Sequence, residues 1–67
     1  MEDPRALYQK LLALREEAIR RRDVGILGRI DGLLATKPES WIEAVAWMEV
    51  AENILRDAEV YWERGKR

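Results

Sequence analysis

The run Val24–Ala35 (VGILGRIDGLLA) carries Gly25, Gly28 and Gly32 in a stretch whose apolar spacing otherwise reads as helix. Each glycine inside a helix costs about 1 kcal/mol relative to alanine. Three in eight residues call for close approach of another backbone. At about 100° per residue all three fall within about 60° of one another on the helix surface. Ala18, Gly25 and Gly32 are spaced by seven, and so are Ala44, Ala51 and Ala58. Paired in reverse, the two series give position numbers that all add to 76, with the midpoint at Pro38. This arrangement predicts two long antiparallel helices folding back at Pro38 along a close seam of Ala18, Gly25, Gly28 and Gly32 against Ala44, Ala51 and Ala58.

The ends of the elements follow from local signals. Asp3 before Pro4 starts a helix, because the carboxylate accepts from free backbone N–H groups and proline suits the first helical position. Leu7, Leu11, Leu14 and Ala18 then recur at helical spacing. Pro38 disfavours helix at the residue before it. Two capping boxes compete around it, Thr36 with Glu39 and Ser40 with Glu43. The expectation is a single helical domain over residues 1–67, with a helix over about 4–35, a turn at about 36–39 and a helix over about 38–64. Neighbouring positions in this register place Arg15 by Glu59 and Arg22 by Glu52 as interhelical ion pairs.

The seam leaves apolar residues unused. Leu12, Ile19, Ile26 and Leu33 form a second stripe spaced by seven, with Tyr8 and Ile30 beside it. Trp47, Ile54 and Tyr61 form another, with Val50 adjacent. A lone hairpin exposes both stripes, and faces of that extent mark interfaces. Two solutions follow. Copies of the hairpin associate through these stripes into a bundle, or the chain breaks near Arg22-Asp23 and folds three helices over them. The second solution needs helices of roughly 19, 12 and 27 residues. That inequality, and the lack of Gly, Pro or Asn at the break, favour the first.

Composition narrows the function classes. A 67-residue chain buries only about 60% of its unfolded surface, so it needs very good packing or a partner. It has no cysteine and no histidine, which removes thiolate chemistry, the commonest metal ligand and the commonest general base. A net charge of −1 argues against a nucleic-acid or anionic-membrane binder, and the run Arg20-Arg21-Arg22 sends its side chains in three directions. Glu43, Glu49, Glu52, Glu59 and Glu63 read as a solvated face rather than a carboxylate metal centre, since the bundle sites of that kind use Glu-x-x-His pairs. No apolar run is long enough to span a bilayer, and the N-terminus does not read as a signal peptide. A soluble, cytoplasmic protein with no cofactor is therefore expected. Trp41, Trp47, Trp62, Tyr8 and Tyr61 also suit a pocket for a flat apolar ligand over Gly25 and Gly28, though nothing polar converges there.

The absence of Cys, His and Phe, the Asp3-Pro4 start, the Lys37-Pro38-Glu39-Ser40 turn and the dense seven-residue spacing give a chain that resembles computationally designed helical bundles. Nine arginines against three lysines, and glycines inside a helix, depart from that style. The resemblance implies a structural scaffold, an assembly subunit or a binder. The expected function is thus a non-enzymatic, self-associating helical module. The alternative is a monomeric three-helix module presenting an aromatic patch to another protein, or a small apolar-ligand pocket.

Overall fold

The computed structural model describes residues 3–64, and these form three helices: α1 (Pro4–Arg21), α2 (Val24–Leu34) and α3 (Trp41–Arg64). Each helix packs against both others. Tyr8 of α1 and Trp47 of α3 line one groove beside the end of α2. Arg21 of α1 and Trp62 of α3 meet beside its start, the guanidinium carbon 4.6 Å from the ring centre. So α1 and α3 run in the same direction and α2 runs back between their ends. Leu7, Leu11, Ala18, Ile26, Ile30, Leu33, Trp47, Met48, Ala51, Ile54 and Ala58 form one continuous core. Large aliphatic side chains as fully buried as Leu7, Leu11, Ile30 and Ile54 contribute about 1.5–3 kcal/mol each.

The single helix expected over 4–35 is therefore two helices, and the structure takes the three-helix alternative. The break is a tight one. Arg22 adopts the left-handed conformation (φ 56°, ψ 36°). Its N–H donates to the Ile19 carbonyl at 3.1 Å, and the Asp23 N–H donates to the Ala18 carbonyl at 2.9 Å. This pair of bonds is the Schellman closure of a helix, formed here without the glycine that usually occupies the left-handed position. Asp23 then starts α2, with Oδ1 accepting from the Ile26 N–H at 3.0 Å. Its second oxygen, Oδ2, accepts from the indole N–H of Trp62 at 3.0 Å. One side chain thus caps α2 and ties the turn to the far end of α3. The Asp23 carboxyl is held below the ordinary carboxylate range, first by the Ile26 N–H and then by the Trp62 indole, with burial opposing.

The turn at the other end matches its local signals more closely. Ser40 caps α3, its Oγ accepting from the Glu43 N–H at 3.1 Å. Thr36 does not open a helix: its hydroxyl donates to the Gly32 carbonyl at 3.0 Å and so closes α2. The buried Trp47 indole donates to the Leu33 carbonyl at 3.0 Å, a second donor to a carbonyl at the end of α2 that also accepts the Thr36 N–H at 3.1 Å. α3 begins at Trp41 rather than near 38, and Gly65, the stop signal expected after it, lies outside the described residues.

The helix register differs from the one drawn through 76. Arg15 pairs with Asp31 at 2.7 Å, not with Glu59, and Arg29 pairs with Asp57 at 3.1 Å. Arg22 is the left-handed turn residue rather than a partner for Glu52. The reason lies in helix geometry. Seven residues make close to two full turns, so every amphipathic helix repeats with that spacing whatever it packs against. Any two such series add to a constant when paired in reverse; the constancy reports periodicity and not partnership.

Candidate interaction surface

The residues singled out by spacing divide between core and surface. Ile26, Leu33, Trp47 and Ile54 lie in the chain's own core, because the break at Arg22-Asp23 folds α2 back over them. Leu12, Ile19 and Tyr61 stay exposed, at 36%, 45% and 56%. The full stripes are therefore not surface; only these three members are open to a partner. Among the small residues, Ala18, Ala51 and Ala58 are fully buried and Ala44 is half-buried.

Gly25, Gly28 and Gly32 are all exposed. They occupy the side of α2 opposite Ile26, Ile30 and Leu33. A methyl group placed at Gly28 or Gly32 would meet no atom of another element within 4 Å, and at Gly25 it would meet only Asp23 Oδ1, at 3.6 Å. Among the described residues, no second backbone approaches them. The outer side of α2 is consequently bare backbone, with Val24 (80% exposed) at its start.

Two ion pairs fix what flanks that side. Arg15 reaches α2 at Asp31, and Leu12 and Ile19 lie on the same flank of α1 as Arg15. Asp57 reaches α2 at Arg29, and Val50 and Tyr61 share that flank of α3. Tyr61, Val24 and Gly25 also line one shallow depression with Trp62. Exposed apolar side chains thus border the bare helix on both sides. Of the aromatic residues read as pocket-lining over Gly25 and Gly28, only Tyr61 and Trp62 lie there, beside Gly25.

A separate groove of about 460 Å³ lies at the opposite end, between the start of α1, the 35–40 turn and α3. Tyr8, Leu34, Pro38 and Trp47 supply its apolar walls, and Arg5 and Lys37 its charges. Spacing along the sequence gave no sign of this juxtaposition, because it depends on α1 and α3 being parallel. The Asp23–Trp62 bond was equally hidden, since the two residues are 39 positions apart.

The arginine run is tied down locally. Glu17 accepts from Arg20 and from Arg21, the latter at 2.7 Å, and these two guanidinium groups hold the Glu17 carboxyl below its usual range. Among the described residues no three carboxylates come together as a metal site, and no helix is long and apolar enough to cross a membrane. Fold and surface define an all-helical, three-helix protein with apolar residues bordering a glycine-faced helix. No protein-family model matches the chain, and no curated protein or solved structure is significantly similar to it.

Proposed function

We propose that this chain is a non-catalytic helical module that acts by pairing with a second copy of itself through the outer side of α2. The observation that carries this reading is the bare glycine face together with its apolar borders, Leu12 and Ile19 on one side and Val24, Val50 and Tyr61 on the other. Three glycines weaken an 11-residue helix by about 1 kcal/mol each, and among the described residues no other element packs against the glycines themselves. A helix of another copy packed at short distance would offset that cost.

A closed two-fold pair is the commonest assembly of identical chains. The absence of His and Cys from the chain supports a non-catalytic role, since imidazole and thiolate chemistry are closed to it.

The test is a double substitution, Gly28→Gln with Gly32→Gln. In a lone three-helix chain both changes raise helix propensity and stabilise the fold by about 1 kcal/mol together. At a close helix contact they block approach. Sedimentation equilibrium should show the parent associating at micromolar to millimolar concentration and the variant as a 7.9 kDa monomer with a higher melting temperature at low concentration. A parent that is monomeric throughout, or a variant that associates as well as the parent, contradicts the reading.

A further inference from the structure

We propose that the groove between the start of α1, the 35–40 turn and α3 is a binding site for a small apolar monoanion, an aryl or alkyl carboxylate. Its volume, about 460 Å³, falls within the range of small-molecule sites. Tyr8, Leu34, Pro38 and Trp47 offer two aromatic faces and two aliphatic surfaces to the body of such a ligand. The site is preformed. The Trp47 ring is anchored by its indole bond to the Leu33 carbonyl, and the Pro38 ring restricts the turn that faces it.

The charge of the site sets the sign of the ligand. Arg5 and Lys37 are on its lining and, among the described residues, no carboxylate is, on a chain whose net charge is −1. Among the described residues neither cation is engaged in an ion pair. Asp3 spends Oδ1 on the Arg5 N–H as the cap of α1, and neither it nor Glu39, two residues beyond Lys37, lines the groove. The groove also lies at the start of α1, the positive end of its dipole. The carbonyls of Gly32 and Leu33, at the negative end of α2, are engaged by the Thr36 hydroxyl and the Trp47 indole. An apolar body with a single anionic end thus meets apolar walls and two uncommitted cations.

This site shares no residue with the proposed self-contact, so the two stand or fall separately. The probe is 1-naphthoate, with the neutral 1-naphthylmethanol as its matched control, titrated by calorimetry and followed by amide and indole NMR shifts. Naphthoate should bind saturably, shift the Trp47 indole resonance and the amides of Tyr8 and Lys37, and weaken with added salt. The alcohol should bind about tenfold more weakly, as expected when two exposed charges contribute at the rim. Arg5→Gln with Lys37→Gln alters only exposed side chains and should keep the parent's melting temperature while removing the preference for the anion. Tyr8→Ala should weaken both probes. If naphthoate does not saturate, if the alcohol binds equally well, or if the shifts centre on Trp62 or Trp41 instead, the assignment is wrong.

Discussion

The two turns of this molecule do the same job by opposite means. The six residues from Ala35 to Ser40 carry their own instructions: Pro38 cannot continue the preceding helix, and Ser40 with Glu43 starts the next. The Arg22-Asp23 turn has no glycine, proline or asparagine, and a left-handed arginine sits where glycine is usual. Residues without glycine's freedom take that conformation at a cost of roughly 1–2 kcal/mol. The surrounding structure offsets it. Folding α2 back buries Ile26, Ile30 and Leu33, and Asp23 then gains two hydrogen bonds, one of them from the other end of the chain. One turn is dictated locally, the other by burial.

That contrast says which substitutions should hurt. Asp23→Ala removes the cap of α2 and leaves the Trp62 indole without its acceptor. The loss should reach about 2–3 kcal/mol in urea unfolding, a cap and a hydrogen bond together. Asp23→Asn retains a capping oxygen and should lose about half as much. An Ala variant as stable as the parent would mean that the turn does not depend on Asp23.

The next effect is on pH. Asp23 and Glu17 both have folded carboxyls lowered below their ordinary values, Asp23 by the Ile26 and Trp62 donors and Glu17 by Arg20 and Arg21. A group lowered in the folded state contributes its stability fully above the unfolded value, about pH 4, and loses it as pH falls through the folded value. Melting temperature should therefore decline below about pH 4, and Asp23→Asn should flatten that decline. A parent whose stability is level from pH 5 to pH 2 would contradict the two carboxylate networks.

The smallest effect belongs to the locally coded turn. Ser40→Ala should cost about 0.5–1 kcal/mol, an ordinary exposed cap, with no change in helix order. A loss as large as that of Asp23→Ala would erase the distinction between the two turns.

The same contrast explains what was legible in the sequence. Helical class, the start at Asp3-Pro4, the Pro38 turn and the Ser40 cap rest on neighbouring residues, and the structure has them. The apolar residues left over by a two-helix hairpin were also visible, and burying them internally is what the chain does with Ile26, Leu33, Trp47 and Ile54. The break itself was hidden, because its stabilisation comes from residues far away in sequence. A close seam is the usual reason for glycines inside a helix; the structure instead leaves them on the outside of α2, unexplained by any contact among the described residues.

A dilution series followed by amide NMR asks directly what that side is for. The amides of Gly25, Gly28 and Gly32 resolve in their own spectral region and report on the bare face alone. Pairing through α2 predicts that they, with Leu12, Ile19 and Tyr61, shift progressively between about 10 µM and 1 mM, with half-saturation set by the dimer constant. The Trp47 indole, at the far groove, should stay still. Glycine amides that do not move over that range, or concentration-dependent shifts confined to Trp41 and Ile42, would contradict the account.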